Sequence, residues 1–426
     1  MVLEVEGTMQ RIYFSSIIFA ISTVSSLSFA AQSEFRKKTH LLPDAPSSVY
    51  FQALKVSPLQ SRMFIGGVTQ EAISLGEKNM VWLKYMNSFR GEENQLRLTK
   101  PGQLNGIPIT KPNRYNPETV KAETNAIKKD IPAEMLKVLT GSKEMPQNPM
   151  LDEETYILWA KRVDKNYQTA VRWTLMEPYL TQLADERSQD VRGYYYLNQM
   201  QNLENILRAF NSQPIETQND IKEWLRQICV NSAGLSAGCD KKVATSIQSQ
   251  KVYELYLKYM PGGQKTWDSY FKLYNPRPEM EWTDVDSSRA ILPFRDPTNT
   301  SILNFLKLNI EDEWKWDGWT LGLDFRGKAD VHVEFVPGVT PHVNGVGGNT
   351  ITMDDNAPLS EWDVQWTIRH EFGHVLGFVD CYVEFYDPTE KIITNYQLDI
   401  DNLMCSRKGR LQKTHFETMK AAYLKR

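Results

Sequence analysis

The spacing of apolar residues changes near residue 280, and this change limits the possible folds more than any other feature of the sequence. From residue 151 to 275, aromatic and aliphatic residues recur every three or four positions, as in Tyr156, Trp159 and Val163. That period predicts amphipathic helices. After Pro278 the apolar residues fall into short runs, which predict strands, with a helix between the first two and a long helix after the last. The predicted strands are 290–294, 319–325, 331–336 and 350–353.

These patterns predict an α+β chain in which a mainly helical domain precedes a domain that mixes sheet and helix. Seven of the 21 prolines fall between residues 99 and 150, among Lys and Asn, which is typical of a linker. The predicted divisions are a signal peptide at 1–30, an N-terminal region of uncertain structure at 31–98, a linker at 99–150, a helical domain at 151–280 and a C-terminal domain at 281–426.

The charge of the chain argues against a nucleic-acid-binding protein. The formal net charge is -3, which gives no electrostatic footprint for phosphate contacts. The distribution is uneven, because residues 281–426 carry 23 acidic and 15 basic side chains, whereas the preceding residues carry 29 and 34. Two interpretations stay open: independently solvated surfaces, or intramolecular packing of the N-terminal region on the acidic C-terminal domain.

One apolar segment near the N-terminus predicts export. Arg11 precedes an apolar run at 12–27, and small residues up to Ala30 occupy the positions that a signal peptidase reads. Met9 is an alternative start to Met1, because the residues between them are acidic. The run is short for a membrane span, which favours cleavage over a permanent anchor. We therefore expect a secreted or periplasmic protein without stable membrane insertion.

The chain has four cysteines, and export permits disulfides between them. Four cysteines allow three pairings. We favour Cys229–Cys239 and Cys381–Cys405, because each of these pairs closes a local loop.

The most informative segment contains His370, Glu371 and His374. Apolar residues from Val364 to Val375 form one stripe of a helix, and the two histidines lie one turn apart on nearly the opposite side. Both imidazoles can therefore reach one metal ion, with Glu371 beside them. An amphipathic helix with this pattern, H-E-x-x-H, indicates a zinc site.

A catalytic zinc site needs three protein ligands and a fourth position for water, so a third ligand must follow His374. Gly377 can end the helix and let the chain turn sharply. The turn would bring Asp380 to the metal as the third ligand. Glu371 would then accept a proton from the water and deliver it to a leaving amine.

The segment 370–380 resembles the metzincin family of zinc endopeptidases, whose pattern is H-E-x-x-H-x-x-G-x-x-H followed by a turn that contains Met. Asp380 stands at the last ligand position, which is most similar to the small snapalysin-type branch. The candidate for the Met-turn residue is Met404. The resemblance covers about residues 282–426, and only 370–380 with Met404 is specific.

The resemblance implies a mixed twisted sheet, a long active-site helix, a Met-turn and a C-terminal helix at 412–424. It also implies that Met404 forms an apolar floor beneath the zinc. The strand at 350–353 would be a sheet edge that pairs with substrate backbone. Several metzincins have Tyr two residues after the Met, but this chain has Ser406 there, so the sequence does not support a Tyr-assisted transition state.

The expected function is that of a secreted endopeptidase with one catalytic Zn²⁺ and a protein or peptide substrate. Glu371 would be the general base and acid, and His370, His374 and Asp380 the ligands. A Cys381–Cys405 bridge would join the ligand turn to the Met-turn.

Two alternatives stay open. A gluzincin-like hydrolase would take a downstream Glu as third ligand, either Glu384 or Glu390, although Gly377 then has no obvious purpose. An exported zinc-containing binding protein would lack catalysis, although the intact Glu371 argues against it. Residues 31–280 could be a prodomain, a recruiting module or a scaffold.

The remaining histidines carry weaker expectations. His332 and His342 are expected to be structural rather than metal-binding. His415, on the last helix, is expected at the surface.

Overall fold

A computed structural model describes residues 67–98, 106–233, 236–336, 341–355, 359 and 362–424. The predicted signal peptide and residues 31–66 lie outside these ranges. The described chain contains long helices followed by mixed sheet and helix, so the predicted α+β class is confirmed.

Helices predominate in the described chain up to residue 269. The apolar period predicts those after residue 151, whereas the helices before it were not predicted. Helix α4 begins where the Asp152 side chain accepts a hydrogen bond of 2.8 Å from the Thr155 backbone N–H, and its apolar stripe includes the buried Tyr156 and Val163. The helices are α1 (Gln70–Asn87), α2 (Pro117–Asp130), α3 (Ala133–Leu139), α4 (Glu153–Met176), α5 (Leu180–Asp185), α6 (Arg192–Gln199), α7 (Leu203–Arg208), α8 (Ile215–Ala233), α9 (Ser236–Gln248) and α10 (Val252–Ser269).

Helix α10 contains Pro261 followed by two glycines, residue types that usually end a helix. The helix continues through Pro261 to Ser269. A Cβ at Gly262 would overlap the Ser232 side chain of α8, and one at Gly263 would crowd Ile228. The glycines therefore permit close packing of α10 on α8, and this packing outweighs the helix-breaking tendency of the sequence.

The predicted linker at 99–150 is wrong for much of its length. Its composition reads as loop, but the structure places strand β1 (Asn113–Tyr115) and helices α2 and α3 there. The prolines explain the difference, because Pro117 occupies the first turn of α2, where no backbone N–H is needed. The Asn116 and Thr119 side chains complete the cap of this helix.

Ten strands form three sheets in the described chain. The predicted strands are confirmed within one to four residues, and the predicted helix after the first of them is α11, which continues as a π-helical turn. The elements after residue 280 are β2 (Glu281–Thr283), β3 (Asp286–Arg295), α11 (Thr300–Leu306), β4 (Lys315–Trp316), β5 (Trp319–Arg326), β6 (His332–Val336), β7 (His342–Val343), β8 (Thr350–Asp354), α12 (Trp362–Val375), β9 (Tyr382–Asp387), β10 (Ile392–Gln397) and α13 (Lys413–Tyr423).

The position of β8 corrects the expectation that it forms a sheet edge. One sheet has the order β2-β3-β5-β4 and another the order β6-β8-β7. Strand β8 pairs in parallel with β6 and antiparallel with β7, so both of its sides are occupied. The short strand β7 is the antiparallel edge instead, because the chain turns back after His342–Val343 and pairs with β8.

The third sheet contains a hairpin that the sequence pattern did not predict. Strands β9 and β10 lie between the candidate ligand Asp380 and the candidate Met-turn. Strand β1 adds to β10 in antiparallel register, with Arg114 opposite Thr394. A strand from the first third of the chain therefore completes a sheet of the last third.

Ion pairs and hydrogen bonds also join these two parts of the chain. Arg172 of α4 pairs with Glu384 of β9, and Arg187 pairs with Asp387 at the end of the same strand. In these pairs the base lies in the earlier part of the chain and the acid in the later part, in agreement with the uneven charge of the sequence.

One continuous apolar core underlies the sheets and α12. The predicted stripe of α12 lies in it, since Val364, Ile368, Phe372 and Val375 are buried. The predicted C-terminal helix is confirmed as α13, which packs Met419 and Tyr423 into the same core. Among the described helices, none is both long enough and apolar enough to cross a membrane.

Candidate metal centre

Helix α12 presents His370 and His374 side by side. The two imidazole rings lie 4.9 Å apart between centroids and nearly perpendicular, at 88°. Both residues are buried, with 2% and 3% of their surface exposed. The four-residue spacing therefore places the two imidazoles next to each other on one side of α12, as the helical period predicts.

Gly377 ends the helix in the predicted way. Its φ of +96° lies in the left-handed region, which favours glycine. Its N–H donates to the His374 carbonyl at 3.0 Å, and the Phe378 N–H donates to the Gly373 carbonyl at 3.0 Å, which closes the helix. A Cβ here would also overlap the Tyr274 carbonyl oxygen, so both the turn and the neighbouring chain require glycine.

The turn brings Asp380 to the two histidines. Its Oδ1 lies 3.1 Å from His370 Nε2 and 3.4 Å from His374 Nε2. The three ligand atoms lie within 4.8 Å of one another, and within the described ranges no other group of His, Cys, Asp and Glu converges in this way. Neither Glu384 nor Glu390 belongs to the group.

Backbone carbonyls fix the orientation of both imidazoles. His370 Nδ1 lies 2.8 Å from the Leu403 carbonyl, and His374 Nδ1 lies 2.9 Å from the Phe378 carbonyl. A carbonyl oxygen only accepts, so each Nδ1 carries the proton. Each Nε2 is then free of a proton in the neutral ring and faces Asp380, which is the tautomer that a metal ligand requires.

The electrostatics of the centre favour a cation. Burial disfavours the charged form of His374, but the Asp380 carboxylate outweighs burial and raises the pKa of His374 to about 9. Protons therefore compete with a metal cation for this nitrogen below that pH.

Glu371 is the most unusual group of the centre. None of its surface is exposed, and neither carboxylate oxygen has a hydrogen-bond partner among the described residues. Buried polar groups are almost always paired, so an unpaired buried carboxylate calls for a partner of another kind. A water molecule between this carboxylate and a cation would be such a partner.

Met404 packs directly against helix α12. A Cβ at Gly373 would overlap its sulfur, so the methionine packs against the turn of α12 between the two histidines. Its own backbone N–H donates to Asn402 Oδ1 at 2.8 Å. Gly373 is therefore a residue of the centre that the sequence did not reveal, because only the packing shows why it has no side chain.

Both predicted disulfides are confirmed. Cys229 pairs with Cys239 between α8 and α9, and Cys381 pairs with Cys405. The second bridge joins the residue after Asp380 to the residue after Met404. The Cys381 N–H also donates to the Met404 carbonyl at 3.1 Å, so covalent and hydrogen bonds hold the same two turns together.

His415 corrects the expectation of a surface histidine, because only 4% of it is exposed. Its Nδ1 accepts from the Gln412 N–H at 2.9 Å, and its Nε2 donates to Asn402 Oδ1 at 3.0 Å. The same Asn402 Oδ1 accepts from the Met404 N–H, so His415 on α13 supports the turn that contains Met404. Of the other histidines that the structure describes, His332 on β6 and His342 on β7 lie outside the His-His-Asp group.

Comparison of the chain with protein families, with curated proteins and with solved structures found no match. The resemblance to metzincins therefore rests on the sequence motif 370–380 and Met404 alone.

Proposed function

We propose that this chain is a zinc-dependent endopeptidase that acts outside the cytoplasm. The observation that carries the proposal is the convergence of His370, His374 and Asp380 beside a buried carboxylate, Glu371, that has no hydrogen-bond partner in the described part of the chain. Three ligands with a fourth position left for water are typical of catalytic rather than structural zinc sites.

The donor atoms fit zinc better than the other common metals. Two imidazole nitrogens and one carboxylate oxygen suit Zn²⁺, whereas Ca²⁺ and Mg²⁺ prefer sites built from oxygen alone. The four cysteines are consumed in two disulfides and offer no thiolate. The carbonyl partners of both Nδ1 atoms supply the outer support that metal-binding histidines have.

His370, His374 and Asp380 would hold a zinc ion, which would lower the pKa of a coordinated water towards about 7 and would polarise the scissile carbonyl. Glu371 accepts a proton from the water as its oxygen attacks the carbonyl carbon. The same carboxylate then donates that proton to the amide nitrogen as the C–N bond breaks. Burial serves this task, because no protein donor competes for the carboxylate.

Strand β7 supports an extended peptide as the substrate. It is an antiparallel edge that contacts α12, and the loop after it is tied to that helix by a 2.8 Å bond from the Gly347 N–H to the His374 carbonyl. An edge strand offers backbone groups to an added strand, so a peptide could bind by extending this sheet.

The two disulfides support an oxidising compartment, outside the cell or in the periplasm. Among the alternatives, a gluzincin-like site would use Glu384 or Glu390, but these carboxylates pair with Arg172 and Arg114 respectively.

The decisive experiment measures zinc content and cleavage of an unfolded protein by the full chain, expressed for export, beside Glu371→Gln. One zinc in both proteins with cleavage only by the wild type would support the proposal. One zinc with cleavage by neither would favour the zinc-containing binding protein, and absence of zinc from the folded protein would refute both.

Two further variants separate the metzincin-like site from the gluzincin-like one. Asp380→Asn should lose zinc, whereas Glu390→Gln should keep it. Loss of zinc in Glu390→Gln but not in Asp380→Asn would identify Glu390 as the third ligand.

A further inference from the structure

Arg172 of helix α4 makes a buried, two-point contact with strand β9. Its Nε lies 3.0 Å from Glu384 Oε1, and its Nη2 contacts Oε2 of the same carboxylate. Only 2% of the arginine side chain and 5% of the glutamate side chain are exposed. The Tyr115 hydroxyl adds a third contact to Glu384 at 3.2 Å. Side chains from the earlier part of the chain thus supply all three contacts.

The strand that carries Glu384 begins two residues after the candidate ligand Asp380. Side chains alternate along a strand, so Tyr382 and Glu384 share one face, while Val383 and Phe385 point into the core. Helix α4 covers the first face, since Trp173 lies edge-on to Tyr386 at 6.4 Å. Helix α4 therefore packs on the face of β9 that points away from the core, at Glu384 and Tyr386.

Tyr382 separates Glu384 from Asp380 along the chain. It begins β9 and shares with Glu384 the face of the strand that α4 covers.

We propose that Arg172 is a positioning residue for the third metal ligand. By fixing Glu384 it holds the first residues of β9, and these residues keep Asp380 at 3.1 Å and 3.4 Å from the two histidines. The Cys381–Cys405 bridge restrains the same ligand from the side of the Met-turn, so Asp380 is held from both sides. The helical part of the chain is then a component of the metal centre and not a prosegment that leaves on activation.

This inference rests on the proposed zinc site, and its test measures zinc binding. Zinc affinity is determined on the full chain by competition with a chelating dye, for wild type, Arg172→Gln and Arg187→Gln. Arg187 is the matched control, because it pairs with Asp387 of the same strand at 3.1 Å, seven residues beyond the ligand. The unfolding midpoint of each zinc-free protein reports separately on fold stability.

Arg172→Gln should bind zinc about 10–100-fold more weakly, as loss of an outer-shell partner does, while Arg187→Gln stays within about 3-fold of wild type. Equal affinity of Arg172→Gln and wild type would overturn the inference, and so would equal losses in both variants. A wild type that binds no zinc would refute the proposed function itself, and the inference with it.

A second variant covers the case in which Arg172→Gln does not fold. Arg172→Lys keeps the charge but loses the two-point contact. An affinity below that of wild type, in a protein that unfolds at a similar temperature, supports positioning. Wild-type affinity in Arg172→Lys overturns it.

Discussion

Two buried carboxylates near helix α12 differ in every contact. Glu313 accepts hydrogen bonds from Arg369, from Arg410 at 2.7 Å and from the Leu411 N–H at 2.8 Å. Glu371 is more deeply buried, yet neither of its oxygens has a hydrogen-bond partner within the ranges that the structure describes. A buried carboxylate with saturated contacts holds the structure together, whereas one left unpaired is available for chemistry.

The largest effect should follow Glu371→Gln. The amide keeps the shape but cannot serve as base, so the rate of peptide cleavage should fall by about 10²–10⁴-fold. Because an unpaired buried charge is removed, the free energy of unfolding should not decrease. Activity assays and denaturant unfolding of the zinc-loaded protein check both parts. Retained activity would remove Glu371 from the mechanism.

Glu313→Gln should have the opposite character, with a large loss of stability and no direct loss of zinc. Removing one member of a buried ion pair leaves Arg369 uncompensated, which typically costs about 3–5 kcal/mol. Denaturant unfolding measures this cost. The control is Glu390→Gln, whose pair with Arg114 is about half exposed and should contribute at most about 1 kcal/mol. Similar losses in both variants would contradict the distinction.

Loss of either disulfide should lower the free energy of unfolding by a similar amount, but only one of the two losses should affect zinc binding. Each closes a short loop, so replacement of either cysteine pair by serine should cost about 3 kcal/mol. Only loss of Cys381–Cys405 should also weaken zinc binding, because that bridge holds the ligand turn. Unfolding and dye-competition titrations of both double variants test this. Equal zinc affinities would show that the bridge does not position Asp380.

The smallest expected effect is a pH dependence due to His415. Burial lowers the pKa of His415 to about 4, so between an unfolded value of about 6.5 and 4 the unfolded chain binds the extra proton. The free energy of unfolding should therefore fall as pH decreases through this window, by about 2 kcal/mol between pH 6.5 and 5. His415→Gln should show a shallower slope than wild type in denaturant unfolding. An unchanged slope would contradict the neutral, buried state.

His374 should act in a different pH window in the zinc-free protein. Its pKa is raised to about 9, so its contribution is fully present below about pH 6.5 and is lost as pH rises towards 9. Because the unfolded pKa is about 6.5, His374 still adds a small slope of opposite sign at the upper end of the His415 window. The comparison of wild type with His415→Gln removes it, since both proteins contain His374.

The convergence of His370, His374 and Asp380 was largely predictable, because these residues lie within eleven consecutive positions of the sequence. The four-residue spacing places His370 and His374 together, and Gly377 ends the helix so that Asp380 follows within one turn of chain. Nothing beyond helix geometry and the conformational freedom of glycine is needed for that arrangement.

Elements that depend on distant partners were missed. No strand was predicted at Tyr382–Asp387, and no pattern reveals that β1 completes the sheet of that strand. Pro261 reads as a helix end, yet packing on α8 carries the helix through it. His415 reads as a surface residue until Asn402 and Gln412 are placed around it.

The sequence by itself determined α12, the strands predicted before it, the His-His-Asp order and both disulfide pairs, because each depends on contacts within about two dozen residues. The tertiary structure alone decided that Glu371 is unpaired, that Glu313 is saturated and that Arg172 meets Glu384 across 212 residues. Such contacts depend on the tertiary packing of segments that are far apart in the sequence, and the local spacing of residues does not reveal which segments pack together.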